Sequence, residues 1–256
     1  VAAPAWVKSN AGVVDTTGAF ASSLAGVAVG NLIVFQVNAD GDTDFNAVTF
    51  TDTNNTIEDL AGTDNTMTAI AAQAIGSSVS SHWLWLGRAL ATTVSIDAST
   101  AGEDVYCQIH EFGDHNNAGT TLADVIENVT AGSFLNGTGS GTTLSDTSVQ
   151  TLGADRLACN FIAANNAVQA SFGSFAGETG GDWILRTSFG STTGTDAAVG
   201  LQTATIASAG TINGGTDPIT TASWGVIGFA LIPAVVGGAV EDPYPYIAGG
   251  YFPTEG

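Results

Sequence analysis

The chain has 256 residues, with 4 Lys or Arg against 24 Asp or Glu, a formal net charge of -20 and a sequence pI near 4.1. Nucleic-acid binding places Lys and Arg on phosphates, and four basic residues at Lys8, Arg88, Arg156 and Arg186 are too few for that footprint or for a basic membrane-surface role. Charged residues are only 11% of the chain but hydrophobic residues reach 44%, which is enough to build a core and excludes an acidic disordered tail.

Gly, Thr, Ser, Ala and Asn replace the missing charge. Exposed helices are normally paved with Glu, Lys, Gln and Arg, so the composition points to an all-β chain. No run approaches the roughly 20 apolar residues of a membrane-spanning helix. The segment VAAPAWVKSN lacks the charged and apolar regions of a signal peptide.

Residues 1–20 read as an extended N-terminal arm leading into one β-sandwich domain over residues 21–240. Alternation of apolar and polar residues, bounded by Gly, Asn, Asp and Ser, predicts strands over 31–38 (NLIVFQVN), 47–53, 67–75, 81–86 (SHWLWL), 93–98 and 105–112 (VYCQIHEF). Further strands are predicted over 156–163 (RLACNFIA), 183–189, 197–206 and 223–232 (SWGVIGFALI). Their spacing suits antiparallel strands in two apolar-faced sheets. Between these groups, 120–129 (TTLADVIENV) sets Leu122, Val125, Ile126 and Val129 at helical spacing and predicts a short helix or covering loop. The Gly/Ser/Thr-rich stretch 132–148 reads as a loop within one domain, and no internal repeat is visible. Residues 241–256 (EDPYPYIAGGYFPTEG) hold three of the six prolines and fit neither strand nor helix. They read as a C-terminal arm that is either disordered or docks Tyr244, Tyr246, Tyr251 and Phe252 on a neighbour.

Several constellations bear on chemistry. Asp40, Asp42 and Asp44 alternate as calcium-loop acids do, but the Gly after the third acid and the distal Glu are missing, so the choice is between a weak calcium site and a solvated acidic turn. Calcium is the only cofactor this leaves open. HEFGDH (residues 110–115) spaces its histidines five apart on a strand end, where the shared helical face of a zinc motif is absent, and reads as a polar pair of His110 and Asp114. Trp83 and Trp85 share one strand face, as core residues or as a sugar-binding platform. Cys107 and Cys159 fall in phase with apolar neighbours and read as two buried thiols, with a bridge between them as the alternative. No nucleophile elbow, phosphate loop or dinucleotide fingerprint occurs.

The segments GNLIVFQVNADGD, SSHWLWLGRAL, TTVSIDAS, GADRLACNFIAAN and TASWGVIGFALIPA, spanning residues 25–234, together resemble small jelly-roll or sandwich virion proteins of tailed bacteriophages. The resemblance implies an all-β antiparallel sandwich, jelly-roll-like, with a structural and non-enzymatic role. The expected role is an outer capsid decoration or cement protein, at the outer surface of the virion. It would be a homo-oligomer, trimer favoured, contacting its own copies and a major capsid or tail protein. A tail-fibre or carbohydrate-binding module and an extracellular filament subunit are the alternatives.

Overall fold

In the computed structural model the described residues are 2–16, 19–40, 49–52, 54–60, 69–75, 80–99, 104–116, 121–127, 135–145, 148–165, 172–173, 175–191 and 197–234. Their architecture is all-β, with every strand pair antiparallel. The fold class read from the composition therefore holds.

The first half contributes β1 (Ala5–Ser9), β2 (Val13–Asp15), β3 (Ala19–Ala25), β4 (Leu32–Asp40), β5 (Thr49–Thr51), β6 (Ile57–Asp59), β7 (Ala69–Ile75), β8 (Ser80–Ala89), β9 (Thr93–Ser99) and β10 (Asp104–Gly113). They form a seven-stranded sheet of order β1-β10-β4-β8-β6, with β2 also on β10 and β7 on β8, faced by a three-stranded sheet β3-β9-β5. One helical turn, α1 (Leu122–Val125), links the halves, its Thr121 backbone N–H and hydroxyl both donating to the Asp124 carboxylate. The second half contributes β11 (Leu135–Ser145), β12 (Ser148–Thr151), β13 (Arg156–Asn165), β14 (Asp182–Ser191), β15 (Ala197–Ile206), β16 (Gly210–Asn213) and β17 (Thr216–Leu231). These form a five-stranded sheet β11-β17-β13-β15-β14 and a two-stranded sheet β12-β16.

The two halves repeat one strand order, although the sequence shows no repeat. In chain order β1, β3, β4, β7, β8, β9 and β10 take the places of β11, β12, β13, β14, β15, β16 and β17. Register follows as well: Leu32 of β4 lies opposite Phe112 and Arg88, and Leu157 of β13 lies opposite Leu231 and Thr205. The described residues are thus built as two like halves, each with its own pair of sheets.

The larger sheets pack face to face. Because side chains alternate along a strand, one face of β4 (Ile33, Phe35, Val37, Ala39) packs toward β3 and β9, through Leu24, Val94 and Ile96. The other face (Leu32, Val34) meets the second half through Leu157, Cys159, Phe161, Leu201, Ile227, Phe229 and Leu231. A strand buried on both faces reads as a nearly continuous apolar run, which explains NLIVFQVN.

Two expectations are corrected. Residues 5–15 are not an arm: β1 and β2 both pair with β10, joined by a turn where Gly12 has φ +87° and where a Cβ would collide with the Phe189 ring. Residues 135–145 are not a loop but strand β11, paired along β17. Gly139 lies flush on Trp224, and any Cβ would enter the indole, so the Gly-rich composition that suggests a loop serves close packing of an edge strand.

Candidate functional site

The polar groups buried between the two large sheets are the strongest candidate site. Gln36 and Asn38 on β4, His82 on β8, and Gln108 and His110 on β10 all alternate onto the face turned to the second half, and all are buried. Donors and acceptors there form one directional chain. Trp6 Nε1 donates to Ser9 Oγ (3.2 Å), and Ser9 Oγ lies 2.7 Å from His110 Nδ1. His110 Nε2 lies 3.1 Å from Gln36 Oε1, which only accepts, so the ring proton sits on Nε2 and Nδ1 accepts from Ser9. Gln36 Nε2 then donates to His82 Nε2 (3.0 Å) and, across the seam, to the carbonyl of Ile162 (2.8 Å).

Other amides make the same crossing. Asn38 Nδ2 donates to Asn165 Oδ1 at 2.7 Å and lies 3.2 Å from the carbonyls of Ala164 and Ala198. Gln108 Nε2 donates to Thr187 Oγ1 at 3.0 Å. These contacts tie side chains of the first half to fixed acceptors of the second and so bear on how the sheets register on one another.

A serine beside a histidine invites comparison with a nucleophile and its base. A general base works best with a pKa near the operating pH, but complete burial pulls His110 down to about 3. Its second nitrogen faces a neutral amide, with no carboxylate to stabilise an imidazolium. The same desolvation lowers His82 to about 3. His115 falls to about 4, through burial first, then the nearby Arg88 charge, with Asp114 opposing. The seam is built to hold neutral rings.

The HEFGDH residues are taken apart by the fold. His110 faces the seam, while Glu111 points to the opposite face and is buried. Glu111 Oε1 accepts from the Ala28 N–H (2.9 Å) and Asn31 Nδ2 (2.7 Å), and Oε2 lies 3.6 Å from Lys8 Nζ. Lys8 Nζ also donates to the carbonyls of Ala25 and Gly26, so the only lysine ties β1 to the loop before β4. Asp114 is exposed at φ +56°, so the expected pairing of His110 with Asp114 does not form; the strand end turns Asp114 outward. His115 is buried, and neither ring nitrogen meets a hydrogen-bond partner among the described residues. Among these residues no group of three or more His, Cys, Asp or Glu could hold a metal ion.

Trp83 and Trp85 stack with ring centroids 5.6 Å apart. Trp85 is 2% exposed and also packs on Phe35, so it is core and offers no platform to a ligand; Trp83 is partly buried against the same cluster. Asp40 ends β4 opposite Ser80 and Asp104, but its side chain, Asp42 and Asp44 lie outside the described residues. Tyr244, Tyr246, Tyr251 and Phe252 lie outside them too.

Both cysteines are free and buried, in different layers: Cys107 between the first half's own sheets and Cys159 in the seam. Burial pushes the Cys107 thiol up to about 12 and raises that of Cys159 as well. Neither is then a thiolate near neutral pH. With Ellman's reagent at pH 8, native protein should release no colour over an hour and guanidinium-unfolded protein two equivalents; rapid labelling of the native chain would contradict the placement.

Sequence reading missed the seam network because two Gln, an Asn and two His spread over β4, β8 and β10 have no spacing that joins one strand to another. The one available signal was polar Gln36 and Asn38 inside the otherwise apolar run 32–39. Comparison with protein-family models, curated proteins and solved structures gives no match to this chain.

Proposed function

We propose that this chain is a non-enzymatic structural protein of a virus particle, an outer decoration or cement subunit that stabilises a shell through contacts with its own copies and with a major capsid or tail protein. The observation that carries the reading is the doubled architecture. Two sheet pairs of one strand order are packed back to back, and buried amides of Gln36, Asn38 and Gln108 hydrogen-bond across the seam between them. Such a body resists distortion, as a shell component must. The order β1-β10-β4-β8 opposite β3-β9-β5 also supports the jelly-roll likeness that links the sequence to tailed-bacteriophage virion proteins.

The weak basicity of His110 supports a role without catalysis. The deficit of Lys and Arg supports a position away from the packaged genome, at the outer surface. Homo-oligomers, trimers foremost, are the expected state. Because each copy carries a formal charge of -20, copies repel at low ionic strength. Self-association followed by light scattering should therefore hold or strengthen as salt rises from about 0.05 M to about 0.5 M, a range that takes the screening length from above 10 Å to a few ångströms. Dissociation on adding salt would contradict this.

The decisive experiment is electron microscopy of the native assembly with the chain located by labelling. Density on the outside of a capsid supports the proposal. Filaments formed by the purified protein alone would replace it with the filament reading, and glycan-array binding lost in Trp83→Ala would replace it with a carbohydrate-binding module.

A further inference from the structure

Among the described residues five large hydrophobic side chains are exposed: Val7, Val29, Leu90, Leu152 and Ile184. Four of them lie at one end of the molecule. Val29 sits in the loop before β4, where the Gly30 N–H donates to the Ala89 carbonyl at the close of β8, and Leu90 follows directly. Val7 on β1 lies beside Gly113 at the end of β10. Leu152 precedes β13, and its N–H donates to Glu127, whose own N–H donates to the Ala230 carbonyl near the end of β17. The two halves are stitched together at this end: Asn116 N donates to the Ile232 carbonyl (3.2 Å) and Ala234 N to the Asp114 carbonyl (3.1 Å). With exposures of 61% and 66%, Val29 and Leu152 occupy corresponding loops of the two halves, the ones entering β4 and β13.

Charge distinguishes this end as well. Three of the four basic residues are here, each beside an acid: Lys8 with Glu111, Arg88 with Glu58 at 3.0 Å, and Arg156 with Glu127. The last described residue, Ala234, is hydrogen-bonded at this same end, and residues 235–256 continue from it. At up to about 3.3 Å per residue their length is sufficient to span to a neighbouring copy. Their aromatic residues Tyr244, Tyr246, Tyr251 and Phe252 supply apolar surface suited to exposed aliphatic side chains.

We propose that the end bearing Val7, Val29, Leu90 and Leu152 is the docking surface for residues 241–256 of a second copy, so that copies meet by this end and hold one another through their C-terminal segments. The inference rests on the assembly reading above and names its contact.

The test uses the full chain with a photo-activated benzoylphenylalanine at position 152, prepared as an equal mixture of ¹⁵N-labelled and unlabelled protein, irradiated and digested for mass spectrometry. The expected result is cross-linking to peptides within 241–256, in pairs that mix the two isotopes. Same-isotope pairs alone would overturn the inference in favour of a segment folded on its own chain, and cross-links confined to other regions would overturn it outright. As Leu152 is exposed, Leu152→Asp should leave the circular dichroism unchanged and weaken self-association at least about tenfold; unchanged association would overturn the inference. Oligomers that persist in light scattering while cross-links fall elsewhere remove this contact but leave the assembly reading standing. A full chain that stays monomeric at every concentration removes both.

Discussion

Acidification from about pH 7 to about pH 5 should remove a large part of this protein's stability. His82 and His110 are drawn from 6.5 to about 3, and His115 to about 4, in each case mainly by burial. A folded-state pKa below the unfolded value means that the unfolded chain binds protons first as pH falls. Stability from these groups is therefore full above about pH 7, declines as pH drops through 6.5, and stops declining only below the folded values. Each histidine accounts for about 1.4 kcal/mol per pH unit in that window, so three together reach about 6 kcal/mol at pH 5, against a typical total of about 5–15 kcal/mol. Urea unfolding at fixed ionic strength should show the midpoint falling steeply from pH 7 to pH 5 and level above about pH 7.5. A midpoint that does not move between pH 7.5 and pH 5 would sink this account. In His115→Leu the slope should drop by about a third, with little change at neutral pH, since both ring nitrogens are buried without a partner among the described residues.

Gln36→Leu is expected to be the most damaging conservative-size change in the seam. Gln36 accepts from His110 Nε2 and donates to both His82 Nε2 and the Ile162 carbonyl. Leucine fills similar space but leaves a buried ring N–H, a ring acceptor and a carbonyl facing apolar atoms. At about 1–3 kcal/mol for each of these three orphaned groups, the loss is about 3–9 kcal/mol. The expected signature in urea unfolding is a lower midpoint at an unchanged slope. The double variant Gln36→Leu with His82→Leu should be less destabilised than the sum of the single changes, because one orphaned acceptor disappears together with its donor. Strict additivity would show that the two side chains do not act as one network.

These predictions concern residues whose joint role was only partly legible. Period-two alternation located β4, β10, β13, β15 and β17, because a buried strand must present apolar residues at fixed parity whatever its partners. The same parity argument placed both cysteines in the core. It failed for β1 and β2, five and three residues long, whose strand character comes from pairing with β10 roughly a hundred positions away. It failed for β11 because a glycine pressed on Trp224 looks, in sequence, like a glycine in a loop.

The repeat was hidden for a related reason. At corresponding seam positions Gln36 matches Phe161, and His110 matches Phe229, so one sheet supplies polar rings and amides where the other supplies aromatic surface. Two faces that pack on each other need complementarity, not identity, and the residues diverged accordingly. Phe161 itself stacks on Phe229 at 5.2 Å and meets His110 edge-on at 5.5 Å.

The charge balance, the all-β class and most strand positions were determined by the sequence alone, since net charge, composition and alternation are properties of the chain before it folds. Only the tertiary structure decided that residues 5–15 are sheet and not arm, that Trp85 is core, and that His110 and Glu111 serve opposite faces. It alone disclosed the doubled strand order. Each of these depends on which distant strands become neighbours, and that choice is made by the summed burial of whole faces, which no local pattern carries.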